Sequence, residues 1–264
     1  MDKLRKVQLN ELDMLIEVDR ITQKYKLSYN LAYGTFLGAI RHNGFIPWDD
    51  DLDINMSLSD FKKFEKICET ELAERFFLQT PKTDRAPFPF YKMRVNGTLM
   101  IEDGLRRLNM HHGIWIDIFP YVYASNNFLG KRIQILCLNL LNRLRARYYY
   151  ENSDSLLRRL LCKLPVGCVS ILDNLLLLLM EKIGTPNSKC IFELSRCKTI
   201  KDNFFDSQLF EKIERYTFEE REFWGPADYD SYLTKCYGSD YMTPIKYAHI
   251  KNSDDIQVDD HIDD

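Results

Sequence analysis

The 264-residue chain carries 36 Lys and Arg against 39 Asp and Glu, a formal net charge of −3, with 45% hydrophobic and 28% charged residues. This mixture excludes wholesale disorder, and the length predicts one large domain or two small ones. Neither charge sign is strong enough to indicate nucleic-acid binding.

The first half of the chain predicts alternating helices and strands. Apolar residues recur at helical spacing near the N-terminus, and β-type residues alternate with polar ones further on. The predicted elements are a helix over 7–25, a strand over 27–33, helical turns over 35–42, a strand over 46–56, a helix capped by Ser57 or Ser59, a hairpin of 91–95 and 98–101 around Asn96-Gly97, and a strand over 113–122.

The second half of the chain has a different character. Residues 128–183 are rich in Leu with interspersed Arg and Lys and predict two or three helices, and 204–237 predicts further helices broken at Gly225-Pro226. We therefore place a soft boundary near residues 125–130. The last twelve residues hold six Asp and no Lys or Arg, which predicts a frayed acidic tail.

The cysteine pattern and the lengths of the apolar runs indicate the cellular compartment of the protein. Seven cysteines with no CxxC motif favour reduced thiols over a disulfide framework or a cysteine zinc site. The N-terminus has no uninterrupted apolar segment typical of a secretory signal, and no apolar run approaches the length of a transmembrane helix. We expect a soluble, cytosolic protein.

The densest chemistry lies in the acidic run PWDDDLDIN. On a strand, Asp49, Asp51 and Asp53 would share one face while Leu52 and Ile54 enter the core. Carboxylates about 4 Å apart repel by on the order of 4 kcal/mol per contact, which a bound cation would offset. Oxygen-only ligands select Mg²⁺, Mn²⁺ or Ca²⁺. The alternative is a solvated acidic loop.

Two further elements can join this acidic run. Gly34-Thr35 stands at a predicted strand-to-helix turn, where glycine permits a close approach and helix N–H groups bind phosphate. Asp117 lies within an apolar β run, so its carboxylate either pairs with a Lys or Arg or completes a metal site. The turn, the acidic strand and the later Asp resemble the pattern of the nucleotidyltransferase superfamily.

A closer resemblance then emerges. The segment AYGTFLGAIRHNGFIPWDDDLDI, the run IDIFP at 116–120 and the tyrosine-rich residues 229–241 resemble signatures of the LicD family. The resemblance covers about residues 25–245, with 126–200 weakly matched. It implies an α+β fold with a nucleotidyltransferase-like mixed sheet, flanking helices and a mostly helical C-terminal half. The implied parts are a catalytic core over 1–126, a helical substrate-binding region over 127–252 and the acidic tail over 253–264.

The resemblance also implies an activity. It indicates metal-dependent transfer of a substituted phosphate, foremost phosphocholine, from a CDP-linked donor to a hydroxyl of a bacterial cell-surface glycan or teichoic acid precursor, with release of CMP. The related fukutin-related proteins use CDP-ribitol, so the transferred group stays open. The implied acceptor is lipid-linked, and the implied location is the cytoplasm at the inner face of the membrane. Alternatives are a nucleotide-sugar glycosyltransferase and an inactive nucleotide-binding scaffold.

Site residues follow from the same resemblance. Asp49, Asp51 and Asp53 fall on the family's metal-binding acidic motif, with Mg²⁺ or Mn²⁺ as the cofactor, and Asp117 falls on its later acidic position. Asp51, Asp53 and Asp117 are expected to be catalytic. Asp50 lies in the same motif, but strand alternation would turn it to the other face.

Two groups of residues are expected to surround these acids. The residues expected to bind the donor phosphates are Gly34, Thr35, Arg41, Lys92 and Arg94. The aromatic residues expected to form a choline wall are Trp48, Trp115 and Tyr121. The alternatives are a solvated hairpin face for Lys92 and Arg94 and core packing for the aromatics. The basic helical stretch 128–163 predicts either contact with an anionic leaflet or an ordinary helical subdomain.

Overall fold

The computed structural model describes residues 2–84, 87–102, 104–147, 162–164, 166–195, 203–245 and 256–257. The helices are α1 (Lys3–Tyr25), α2 (Tyr33–His42), α3 (Leu58–Glu71), α4 (Phe128–Arg145), α5 (Val166–Ile183), α6 (Gln208–Glu211) and α7 (Tyr229–Tyr237). The strands are β1 (Tyr29–Leu31), β2 (Asp53–Ser57), β3 (Phe76–Gln79), β4 (Tyr91–Val95), β5 (Leu99–Met100), β6 (Trp115–Tyr123), β7 (Cys190–Glu193), β8 (Phe204–Asp206), β9 (Ile213–Phe218), β10 (Arg221–Pro226) and β11 (Ile256–Gln257).

The described residues build a mixed seven-stranded sheet around β6. The strands follow the order β1-β2-β6-β4-β3, and β7 also pairs with β6 and carries β8. The β2–β6 pair is parallel, whereas the other pairs of this sheet are antiparallel. The nine-residue strand β6, which contains β-branched and aromatic residues, therefore joins the strands of the first half of the chain to β7 and β8 of the second half.

Helix α1 supplies much of the core beneath this sheet. Asp2 caps it by accepting the Leu4 N–H at 2.8 Å, and its fully buried apolar residues include Val7, Met14 and Val18. These residues recur at helical spacing, so the predicted helix over 7–25 is confirmed and begins four residues earlier. The predicted α+β class is confirmed as well.

The acidic run itself is mostly not a strand. The predicted strand over 46–56 begins only at Asp53, and the preceding residues form a turn in which the Asp49 N–H donates to the Ile46 carbonyl at 2.9 Å. The Gln8 amide of α1 donates to the same carbonyl at 3.4 Å and to the Asp49 carbonyl at 3.0 Å. A side chain distant in sequence thus satisfies backbone groups that a neighbouring strand would otherwise bind.

The predicted hairpin around Asn96-Gly97 is also wrong in its pairing. The turn exists, with Gly97 at a φ of 77°, but β5 pairs with β11. Strand β4 has β3 on one edge and β6 on the other, so no edge is left for β5.

The predicted helices over 204–237 are largely strands. Strands β9 and β10 form a hairpin joined by Glu219 and Glu220, both at positive φ, as a two-residue primed turn requires. Gly225-Pro226 ends β10 and does not break a helix. Together with β7 and β8, this hairpin makes the second half less helical than its Leu-rich sequence predicts, and only α6 and α7 are helical within 204–237.

Parts of the basic stretch 128–163 and most of the acidic tail lie outside the described residues. In the portion that is described, no helix combines the length and apolarity that crossing a bilayer requires.

Candidate active site

Two carboxylates stand side by side on the parallel strands of the sheet. Asp53 of β2 and Asp117 of β6 are partners in the strand register, so their side chains leave the same face of the sheet. On the other side of Asp117, Lys92 of β4 is its register partner, and its Nζ lies 2.6 Å from Asp117 Oδ1. The predicted meeting of Asp53 and Asp117 is therefore present in the fold.

The loop before β2 brings the other acidic residues to this place. Asp49, Asp51 and Asp53 line a cavity of about 390 Å³ at the first turn of α2. Asp50 is buried at 5% exposure and does not line the cavity, as strand alternation would also have it. The loop thus brings the three predicted acids to one cavity, although only Asp53 lies in a strand.

Burial and mutual repulsion perturb these acids. Burial raises the pKa of Asp53 well above its usual range, and the charges of Asp51 and Asp117 raise it further. Burial, with the charge of Asp51, raises the pKa of Asp49 to about 8. Burial raises the pKa of Asp117 to about 6, although the Lys92 ammonium acts to lower it. Burial and the neighbouring carboxylates therefore destabilise the ionised forms of these acids.

The donor chemistry of this cluster fits a hard divalent cation. Its candidate ligands are all carboxylate oxygens, which suit Mg²⁺ and Mn²⁺. Among the described residues, no three acidic, His or Cys side chains form a ready metal-binding group. Mg²⁺ usually keeps several waters and takes one or two carboxylates plus substrate phosphate, so it needs no closed protein cage.

Gly34 and Thr35 shape the site from the start of α2. A Cβ added to Gly34 would lie 2.9 Å from Asp49 Oδ2 and 3.9 Å from the Tyr237 hydroxyl, so a larger residue here would displace the Asp49 carboxylate. Thr35 is buried, and its hydroxyl accepts the Asp53 N–H at 2.8 Å. Gly34 thus lines the cavity, whereas Thr35 holds the backbone of Asp53.

A buried polar network supports this turn from behind. Tyr33, at a φ of 44°, donates its hydroxyl hydrogen bond to Glu193 of β7, and its N–H donates to the Tyr232 hydroxyl at 3.3 Å. The Asn55 amide donates to the other Glu193 oxygen at 2.5 Å. Burial raises the pKa of Glu193. These contacts hold a strained residue directly before Gly34.

Arg41 lies on the opposite wall of the cavity. Its Nη1 donates to the Tyr241 carbonyl at 2.8 Å, and burial lowers its pKa. Its Nε is buried, with no hydrogen-bond acceptor among the described residues. Arg41 thus brings a positive charge to the cavity, although its Nε itself is shielded from solvent.

Lys92 and Arg94 belong to a buried ion network beside the cavity. Lys92 is 1% exposed and lies 2.6 Å from Asp117 and 3.3 Å from Glu102. Arg94 is fully buried and donates to Glu102 at 2.9 Å and to the Gly113 carbonyl at 2.8 Å. They share a face as predicted, but neither lines the acidic cavity.

The three predicted aromatic residues are dispersed. Trp48 lines the acidic cavity. Trp115 is 4% exposed, and its ring lies 4.4 Å from the Lys92 ammonium, so a cation of the protein already occupies one face. Tyr121 packs its ring against Phe210 and lines a separate cavity.

The C-terminal part of the chain closes the cavity with residues that the sequence analysis assigned no role. Tyr237 ends α7, and Asp240, Tyr241 and Thr243 follow it. Partial burial raises the pKa of Tyr237, and the charges of Cys236 and Asp53 raise it further. The only signal was the resemblance of residues 229–241 to a family motif, because nothing local links this segment to the acidic run.

Comparisons with known proteins agree with this geometry. Residues 26–136 match the family described as LicD/FKTN/FKRP, nucleotidyltransferase domain. The lipopolysaccharide cholinephosphotransferase LicD of Haemophilus influenzae is 27% identical over 248 residues, which span 90% of this chain and 91% of that protein. An uncharacterised protein of Rickettsia prowazekii is 33% identical over 85 residues, 30% of this chain and 32% of that protein. The matched segment contains the acidic loop, β2 and β6, so residues 26–136 resemble the nucleotidyltransferase domain of the LicD family.

Proposed function

We propose that this chain transfers phosphocholine from a CDP-linked donor to a hydroxyl of a cell-surface glycan and releases CMP. The observation that carries the proposal is the in-register pair Asp53 and Asp117 beside the acidic loop of the cavity. The H. influenzae relative, named as a lipopolysaccharide cholinephosphotransferase, supports the transferred group and the acceptor class because it aligns along most of both chains.

Asp51 and Asp53, with Asp49 beside them, are the residues proposed to hold the divalent cation. When bound, Mg²⁺ or Mn²⁺ would neutralise the pyrophosphate of the donor, which otherwise resists attack by an oxygen nucleophile. Asp53 is held for this task by the Thr35 hydroxyl through its backbone N–H. Asp49 is held beside Gly34, where no side chain obstructs it.

Asp117 is proposed to accept the proton of the acceptor hydroxyl. A pKa of about 6 leaves its carboxylate ionised at neutral pH and still basic enough to take part in proton transfer. The acceptor oxygen then bonds to the phosphorus that carries choline, and the bond from that phosphorus to the CMP oxygen breaks. Lys92 orients Asp117 through its 2.6 Å ion pair.

The remaining cavity walls suit the two ends of the donor. Arg41 lines the cavity and carries a positive charge that can contact a phosphate oxygen of the leaving CMP. Trp48 and Tyr237 present aromatic rings to the cavity, and aromatic faces attract a quaternary ammonium. These features favour a choline-bearing donor over one with a neutral polyol.

The decisive experiment measures CMP release from CDP-choline, CDP-glycerol and CDP-ribitol in the presence of Mg²⁺ and an acceptor glycan. We expect release with CDP-choline that depends on the acceptor and is lost in Asp53→Asn and Asp117→Asn. Glu69→Gln, which removes one charge from the exposed face of α3, is the matched control and should keep full activity. A nucleoside diphosphate product would identify a glycosyltransferase, and nucleotide binding without turnover would identify a scaffold.

A further inference from the structure

Helices α4 and α5 expose an unusually apolar surface. They pack against each other and against the sheet through residues such as Leu138, Leu141 and Met180. Their opposite sides carry nine of the fourteen large apolar side chains that are exposed in the described structure, each 42% to 70% exposed. We name this surface the outer helix face and define it by Phe128, Leu136 and Leu140 of α4 and Ile171, Leu175 and Leu178 of α5.

The apolar residues follow one stripe on each helix. On α4 the exposed positions include Leu136 and Leu140, four residues apart, and on α5 Ile171, Leu175 and Leu178 follow at intervals of four and three. This spacing keeps each set on one helical face. Because the inner sides of both helices pack on the same sheet, both stripes face away from it. Contiguous exposed apolar surface of this kind marks an interaction site.

The unpaired charges that these two helices expose are positive. Arg132, Arg143 and Lys182 are exposed. The two acidic residues of the helices are both engaged: Asp173 is buried in an ion pair with an arginine of α4, and Glu181 pairs with a lysine of α3 at 2.8 Å. In the described parts of α4 and α5, no unpaired carboxylate therefore faces outward beside the cations.

We propose that the outer helix face docks on the surface of an anionic lipid bilayer. Apolar side chains enter the boundary between headgroups and acyl chains, and Lys and Arg at the edges contact anionic headgroups, as in helices that lie in the membrane interface. A second copy of this chain is a poorer occupant, because a symmetric interface would bring the same cationic rims together. The docking stands on this surface alone and does not require the proposed transferase activity.

The test is sedimentation of the full chain with vesicles of phosphatidylcholine alone or mixed with phosphatidylglycerol. We expect binding to the mixed vesicles only. The double variant Arg132→Glu and Arg143→Glu should bind at least about tenfold more weakly at low salt. Ile171→Glu with Leu175→Glu should lose binding at both low and high salt, since apolar insertion is not screened.

The matched control is Lys212→Glu with Arg221→Glu, which changes the net charge equally at exposed positions outside both helices. Equal weakening in this control, or no vesicle binding by the natural chain, would overturn the docking. A concentration-dependent dimer in light scattering, abolished by the α5 variant, would assign the face to a second copy and also overturn it. Thermal melting verifies that each variant folds.

Activity with a water-soluble acceptor separates this proposal from the proposed function. The docking variants should release CMP at the rate of the natural chain, because the outer helix face does not line the acidic cavity. A natural chain that binds vesicles without releasing CMP would reject the transferase and keep the docking. CMP release without vesicle binding would reject the docking and keep the transferase.

Discussion

Replacing Asp49 with asparagine should change the stability of the fold and the activity of the site in opposite directions. Asp49 lies among the carboxylates that line the acidic cavity, and burial with the nearby charge of Asp51 raises its pKa from 3.8 to about 8. An amide of the same shape cannot ionise, so it removes the cost of keeping this carboxyl protonated in the folded protein at neutral pH. We therefore expect Asp49→Asn to stabilise the metal-free protein while it weakens metal binding and turnover.

The size of the effect follows from linkage. A carboxyl whose pKa is raised on folding costs no stability at a pH below its unfolded pKa. The free energy of unfolding then falls as the pH rises to the folded pKa. For Asp49 this window runs from about pH 4 to about pH 8. At pH 7 the cost is at most about 4 kcal/mol, at 1.36 kcal/mol per pKa unit. Relaxation of the partly exposed loop should leave about 2 kcal/mol, or about 4–8 °C in melting temperature.

Thermal melting between pH 5 and pH 8, in chelator and then with Mg²⁺, measures this prediction. The advantage of Asp49→Asn should grow with pH in chelator and shrink when Mg²⁺ stabilises the natural chain. The control Glu69→Gln, on the exposed face of α3, should stay within about 0.5 kcal/mol of the natural chain throughout. A variant that melts below the natural chain at pH 8 in chelator would refute the idea of a strained acidic cluster.

Three further substitutions test the cavity and the buried polar networks beside it. Gly34→Ala sets a methyl group 2.9 Å from Asp49 Oδ2, so CMP release should fall about tenfold or more while the melting temperature stays near that of the natural chain. Lys92→Met leaves the partly buried Asp117 without its cation, while Glu102 keeps its ion pair with Arg94, and urea unfolding should reveal a loss of about 3 kcal/mol. Glu193→Ala removes the acceptor of Tyr33 and of a second buried donor, so thermal melting should register a loss of about 2–4 kcal/mol that Glu193→Gln restores only in part, because its amide keeps one acceptor oxygen.

The centre of the site could be predicted from sequence because strand alternation has a fixed period. Asp53 and Asp117 each stand between apolar residues, so burying those neighbours turns both carboxylates to the opposite face. Asp49 and Asp51 reach the same cavity for another reason. Their loop is fixed by the Gln8 amide, which donates to two of its carbonyls, and a pattern within the loop cannot reveal that long-range contact.

The missed features depend on partners far away in the chain. Lys92 and Arg94 share a face as the spacing predicts, but only the fold reveals that Glu102 neutralises both from within the protein. Tyr237 reaches the cavity because α7 packs beside α2, which no local spacing can indicate. The hairpin of β9 and β10 was mistaken for helix because its Glu-rich turn lacks the usual glycine or asparagine signal.

The parallel pairing of β2 with β6 also bears on how the protein matures during synthesis. Helix α3 and strands β3, β4 and β5 must all leave the ribosome before Asp117 can lie beside Asp53. Such non-local pairing is slow, and a slip of one residue would point Asp117 through the sheet to the far side. The pair of Asp53 and Asp117 therefore forms late in folding. Under the proposed function, binding of a nucleotide analogue would report whether a newly made chain has finished folding.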